Sequence, residues 1–241
     1  MKSVIISSDY VQDMQETPSR QAYSGGRGHL SQPVPVRDDE MLTLFRSLQM
    51  LLPNKSNWTL GITSTLPGEG VSTVARGLAR VVARTPGARV LICDVPNERE
   101  NRRGRRDSDS GTRASMGDSG NRIEFSWLPG SQIAVGALGD GSSSSMHAIT
   151  TNTDSMRSIV STVSAGFELV ILDLPPVSES VVGASFARAV DGVILVVEAE
   201  RTRVHSVRAS QKTLNMYGAN VLGVVLNKRR FHIPDFIYRY L

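Results

Sequence analysis

Residues 58–80 read WTLGITSTLPGEGVSTVARGLAR. Trp58, Leu60 and Ile62 lie in an apolar run that predicts a buried strand. Pro67-Gly68-Glu69-Gly70 breaks regular structure, and Ser72-Thr73 opens a helical pattern carried by Val74, Leu78, Val81 and Val82. Strand, glycine turn and helix in that order bring backbone N–H groups and a helix N-terminus to one point, the setting of a phosphate-binding loop. The spacing of such loops is G-x-x-x-x-G-K-[ST]. Gly70 takes the second glycine and Ser72 the metal-ligating hydroxyl, but Val71 stands where the lysine belongs. The loop is recognisable and its charge is missing.

The rest of the chain supplies a sheet around that loop. Its 241 residues, 40% hydrophobic and 21% charged, suffice for one α/β domain with a substantial core. Residues 1–37 are Ser-, Pro-, Gly- and Gln-bearing with little periodicity and read as a flexible arm. Asp38-Asp39-Glu40 starts a helix whose apolar face is Met41, Leu44, Phe45, Leu48, Leu51 and Leu52, ended by Pro53-Asn54. Strands are expected at 88–94, 133–138, 167–173, 193–197 and 221–226. Helices are expected at 156–163, 181–189 and 204–216. Residues 97–121 are rich in Arg, Ser, Asp and Gly and read as a disordered loop. Alternating strands and helices with nearly continuous apolar strands predict a doubly wound, mostly parallel sheet of the P-loop NTPase type in a single domain, 38–228, followed by a tail, 229–241.

In such a sheet ligands sit beyond the C-terminal ends of the strands. Asp94 closes one strand and Asp173 another, where a phosphoryl-transfer site needs acids to hold Mg²⁺ and position the attacking group. A single cysteine, Cys93, excludes a disulfide framework and, lying in a buried strand, reads as core packing. Paired cysteines for an iron–sulfur cluster are lacking. His147, His205 and His232 have no metal-ligand spacing. The net charge of +4 is modest, and the cluster Arg102, Arg103, Arg105 and Arg106 reads as a solvated loop, so no nucleic acid is expected. No apolar run approaches the roughly 18 residues of a membrane span, and the N-terminal apolar stretch is too short for a secretory signal. These features point to a cytoplasmic chain.

The segments STLPGEGVST, VLICD, ELVILDLPPV, VDGVILVV and GANVLGVVLN together resemble the bacterial tyrosine autokinases of capsule and exopolysaccharide export, relatives of the chromosome-partitioning and septum-positioning ATPases. The resemblance spans about residues 38–228, and its most specific parts are the Pro-Gly-Glu-Gly loop and the Asp-x-Pro-Pro motif of Asp173, Pro175 and Pro176. It implies that Pro67, Gly68, Glu69, Gly70, Val71, Ser72 and Thr73 cradle ATP or ADP and that Asn227 reaches the base. Ser72, Asp94 and Asp173 would hold Mg²⁺, and the two acids would serve catalysis. It also implies a membrane polysaccharide co-polymerase or another export-machinery subunit as partner, peripheral placement at the inner membrane through that partner, and self-association.

The departures run one way. The lysine is Val71, and the family's Asp-x-Asp is Asp94-Val95-Pro96. The Glu-x-x-Arg-x-x-Arg ring motif is reduced to Thr43, Arg46 and Gln49, and the C-terminal tyrosine cluster to Tyr238 and Tyr240. A charge-assisted hydrogen bond contributes roughly 1.5–3 kcal/mol, so nucleotide binding is expected to be weakened about 10- to 100-fold without being abolished. Transfer chemistry, which rests on charge stabilisation, is expected to fall on the order of 10³-fold or more. Asp94 and Asp173 would then be vestigial, and the chain a pseudokinase acting as a regulatory partner. Two alternatives stay open. One is an active tyrosine kinase or ATPase whose cation comes from Arg102–Arg106, Lys228 or a neighbouring subunit. The other is a positioning ATPase whose apolar and basic tail, Arg229 to Tyr240, meets a membrane or nucleoid surface.

Overall fold

The computed structural model describes residues 38–52, 55, 57–95, 113–116, 123–138 and 153–228. The arm 1–37, Pro96, the cluster Arg102–Arg106, His147, and the tail with His232, Tyr238 and Tyr240 lie outside them. Eight strands form one sheet: β1 Trp58–Ser64, β2 Val90–Asp94, β3 Arg113–Met116, β4 Ile123–Trp127, β5 Ile133–Leu138, β6 Leu169–Asp173, β7 Gly192–Glu198 and β8 Val221–Asn227. The helices are α1 Asp38–Leu51, α2 Val71–Val82, α3 Thr153–Ser164, α4 Val181–Ala187 and α5 Val204–Met216. The sheet order is β3-β4-β5-β2-β6-β1-β7-β8. From β5 to β8 all pairs are parallel, and β3 and β4 extend the β5 edge antiparallel.

Strand alternation divides the core in two. On one face Leu60, Ile62, Val90, Ile92, Leu169, Ile171, Ile194 and Val196 meet α1 and α2 through Leu44, Leu48, Val74 and Leu78. On the other, Leu91, Cys93, Val170, Leu172, Val193 and Leu195 meet α3, α4 and α5 through Met156, Ile159, Phe186 and Leu214. Helices on both faces explain why β1 is buried along its whole length and why its sequence does not alternate. The chain leaves β1 for β2 on one side of it and returns through β7 on the other, so the end of β1 is the place where strand order reverses.

The structure corrects the sequence reading at one edge. β3 lies inside the stretch 97–121 read as a disordered loop, and β4 was not expected at all. Arg113-Ala-Ser-Met116 carries no apolar period; it is placed by backbone pairing with β4, which leaves no signature in side chains. β4 itself is docked by Phe125 and Trp127, whose rings pack on Phe167 at centroid distances of 5.4 and 5.7 Å. Smaller shifts are that Leu51 is exposed rather than on the packed face of α1, that β2 begins at Val90 and β6 at Leu169, and that α4 ends at Ala187. Among the described residues no helix is long and apolar enough to cross a membrane.

Candidate functional site

β1 ends at Ser64, and the chain turns through residues 65–70 into α2. Two residues of the turn adopt the left-handed conformation, Gly68 at φ 80° and Gly70 at φ 99°. A side chain at Gly68 would meet nothing within 4 Å, so backbone geometry alone selects glycine there. At Gly70 space decides as well, because a Cβ would lie 2.2 Å from Asn227 Nδ2. Gly70 is the N-cap of α2 and supplies no side-chain cap. Its carbonyl accepts from Thr73 N and Val74 N, both at 3.1 Å. The start of a twelve-residue helix, with its positive dipole end, is therefore presented without a side-chain acceptor over it. Thr65, at the first position of the loop spacing, is 2% exposed and its hydroxyl has no hydrogen-bond partner among the described residues.

Val71 is half-buried and packs against the core on the α1–α2 face. An apolar contact thus occupies the position at which a loop lysine would stand. Arg76 and Arg80 are exposed further along α2. A cation reaches the loop from the end of β8. Lys228 Nζ donates to Gly68 O and lies 3.1 Å from Glu198 Oε2. Asn227 Nδ2 donates to Glu69 O at 2.8 Å, while its Oδ1 accepts from Lys228 N at 2.9 Å. Expected to reach a base, Asn227 has its carboxamide engaged with the loop.

Glu69 is fully buried. Its carboxylate accepts from Leu66 N at 2.8 Å, from Glu198 N at 3.1 Å and from the Thr202 hydroxyl. Glu198 in turn holds Arg201 at 2.9 Å. Burial works against the charged Glu198 carboxylate, but hydrogen bonds and charge from Arg201 and Lys228 outweigh it and hold its pKa below the ordinary carboxylate range. Glu198, Thr202 and Thr65 were not foreseen. Counting back from Gly70 along the loop spacing would have found Thr65; no spacing in the sequence points to the other two.

Asp94 and Asp173 are register partners at the ends of the adjacent strands β2 and β6, and Asp173 is also paired with Ile62 of β1. Asp94 is exposed and Asp173 half-buried. The Asp-x-Pro-Pro run is strapped to the end of β1. Leu174 N donates to Ile62 O at 2.9 Å, Thr63 Oγ1 to Pro175 O at 2.8 Å, and Val177 N to Ser64 O at 2.9 Å. Asp173 therefore lies beside the strand that feeds the loop, and Asp94 lies one strand further out on the same side. Cys93 is buried, and burial with the charges of Asp94 and Asp173 raises its pKa far above the usual thiol range, which leaves it inert. His205 is exposed on α5. No group of three or more His, Cys, Asp or Glu side chains among the described residues is arranged for a metal. The paired strand-end acids and the Ser72 hydroxyl are the side chains that suit Mg²⁺, an ion that keeps several waters and needs few protein oxygens. The backbone cradle fits a phosphate; the side chain at position 71 does not.

No family model matches the chain. It is 26% identical over 187 residues to tyrosine-protein kinase CpsD of Streptococcus agalactiae serotype III (strain NEM316), covering 72% of this chain and 75% of that protein. It is 28% identical over 190 residues to the succinoglycan biosynthesis transport protein ExoP of Rhizobium meliloti (strain 1021), covering 75% of this chain and 23% of that protein. The kinase domain of the Escherichia coli tyrosine kinase ETK superposes with a TM-score of 0.61 at 20% identity, over 98% of this chain and 94% of that one. The fold is that of the P-loop kinase domains, and the chain is a relative of the bacterial tyrosine kinases of capsule and exopolysaccharide synthesis.

Proposed function

We propose that this relative of the bacterial capsule and exopolysaccharide tyrosine kinases is a nucleotide-binding, catalytically impaired member that regulates polysaccharide assembly. The observation that supports this most directly is a well-formed loop whose lysine position is taken by a core-packed valine. In this reading Gly68 to Ser72 offer backbone N–H groups, and Thr73 its hydroxyl, to the phosphates of ATP or ADP, and Ser72, Asp94 and Asp173 offer oxygens to Mg²⁺. The ion, when bound, neutralises charge on the phosphates. Asp94 and Asp173 are retained for binding rather than turnover, because the cation that would stabilise the transferring phosphoryl is absent from the loop. The partner is a membrane polysaccharide co-polymerase or another export subunit, and it holds the chain at the inner membrane.

Calorimetry with Mg²⁺-ATP and Mg²⁺-ADP on the wild type and on Val71→Lys tests the site. Micromolar to sub-millimolar binding by the wild type, tightened about 10- to 100-fold by the lysine, is the expected result. Absence of binding in both proteins would sink the nucleotide reading. A second reading, a working kinase, draws on Lys228, whose ammonium lies on the loop. Single-turnover ATP hydrolysis at high enzyme concentration decides between the two; measurable turnover removed by Lys228→Met favours the working kinase.

A further inference from the structure

We propose that Asn227 and Lys228 form a clamp that aims the N–H groups of the loop, doing from the end of β8 part of what a loop lysine does from within. This rests on the reading of the loop as a phosphate site. Two successive residues donate to two successive carbonyls, Lys228 to Gly68 O and Asn227 to Glu69 O. In a trans peptide the C=O and the N–H of one planar unit point in opposite directions. Among the described residues no peptide is cis. Holding the Gly68 and Glu69 carbonyls toward β8 therefore turns the N–H groups of Glu69 and Gly70 away from β8, toward the side where a phosphate is cradled. The same geometry leaves the Lys228 ammonium on the carbonyl side, so it positions the loop rather than touching the transferred group.

The clamp is built at a conformational cost that the surrounding contacts maintain. Lys228 has φ 56°, unusual for a residue with a side chain. Asn227 Oδ1 fixes that turn by accepting from Lys228 N. Glu198 then joins the clamp to the loop a second time, since its N–H donates to the Glu69 carboxylate while its own carboxylate holds the Lys228 ammonium. The Lys228 side chain is 35% exposed and Glu198 19%, so the pair is sheltered more than an ordinary surface bridge. Asn227 also fills the space where any side chain at residue 70 would go, so clamp and glycine are matched.

The test uses the full chain with Lys228→Met, Asn227→Ala and Lys228→Arg. Amide hydrogen exchange on the ligand-free protein should show Leu66 and Glu198, whose N–H groups donate to the Glu69 carboxylate of the held loop, exchanging about tenfold faster in the first two variants, with β1 and β6 unchanged and the arginine variant close to wild type. Binding of Mg²⁺-ADP and of inorganic pyrophosphate should weaken by the same factor of about ten, the effect expected of one lost charge-assisted hydrogen bond. Pyrophosphate carries no base, so an equal loss for both ligands assigns the effect to the loop. Unchanged exchange at residues 66 and 198 in both disrupting variants would overturn the clamp, as would a loss for ADP with none for pyrophosphate. If the wild type binds neither ligand, the nucleotide reading fails while the exchange rates still judge the clamp.

Discussion

The two walls of the loop differ in kind. On the β7–β8 side, Glu198, Thr202, Asn227 and Lys228 hold the loop by donating to the Gly68 and Glu69 carbonyls and to the Glu69 carboxylate. On the β2–β6 side, one strand-end acid stands beside β1 and a second one strand further out, and the position that would bring a lysine into the loop holds a half-buried valine packed against the core. The holding wall is complete on its own, whereas the chemical wall has lost its cation. In the proposed reading this division separates binding from turnover: a cradle that needs no side-chain cation is kept, while a reaction that needs charge at the transferring phosphoryl is not supported. The predictions below test the loop and the wall that holds it.

Removing the hub of the holding wall should have the largest effect. Glu69→Leu would leave Leu66 N and Glu198 N without their acceptor in a partly buried setting. Each orphaned donor costs about 1–3 kcal/mol, so a loss of roughly 2–5 kcal/mol is expected in urea unfolding. Glu69→Gln, which keeps one oxygen, should lose roughly half as much. Equal and small losses in both would show that the carboxylate is not the hub.

Gly70→Ala strikes the junction of the two walls and should come next. The alanine meets both the positive φ of the N-cap and the Asn227 amide. A left-handed residue with a Cβ costs about 1–2 kcal/mol, and displacing Asn227 removes a clamp bond besides. Nucleotide affinity should fall further than stability, because the N–H groups of the cradle are re-aimed. Pairing Gly70→Ala with Asn227→Ala sharpens the point: the double variant should be less damaged than the sum of the two.

How much of this was legible in the sequence follows from where each contact originates. The strand, glycine turn and helix at 58–80 are local, and so were read correctly from apolar spacing and turn residues. Asp94 and Asp173 could be placed because parallel strands end on one side of the sheet, and their direct register then follows from the β2–β6 pairing. Glu198 and Thr202 could not be placed, since they reach the loop from about 130 positions further along the chain, and Lys228 could be named as a candidate cation but not assigned its contact with the Gly68 carbonyl, about 160 positions away. A left-handed lysine carries no signature in residue type. The β3–β4 edge was lost for a related reason: β3 is specified by its neighbour's backbone, and the aromatic pattern of β4 is too short to stand out from the polar segment before it.

A pH series separates the walls more finely. Because the Glu198 carboxylate is held below its ordinary pKa by Arg201 and Lys228, its contribution to stability is present above the unfolded-state pKa and is lost as pH falls through the folded-state value. Stability of the wild type should therefore decline on the acid side more steeply than that of Glu198→Gln, measured by thermal unfolding from pH 7 down to the acid transition. The variant should be the less stable of the two near neutrality, and the curves should converge in acid. Parallel curves would mean that the carboxylate contributes no charge to the clamp.

The smallest effect belongs to Thr65, and its sign is informative. The hydroxyl is buried without a partner among the described residues, so Thr65→Val removes a polar atom that gives nothing to the ligand-free protein. Replacing an unsatisfied buried polar atom by an apolar one of the same shape is neutral or stabilising, and unfolding should move by no more than about 0.5 kcal/mol in either direction, or toward higher stability. Mg²⁺-ADP supplies the contrast. If the hydroxyl is held for a ligand at the first position of the loop, the valine variant should bind about threefold to tenfold more weakly, the effect of one neutral hydrogen bond. A variant that is both more stable and equally able to bind would make Thr65 a packing residue, and the cradle would then rest on backbone N–H groups and the clamp alone.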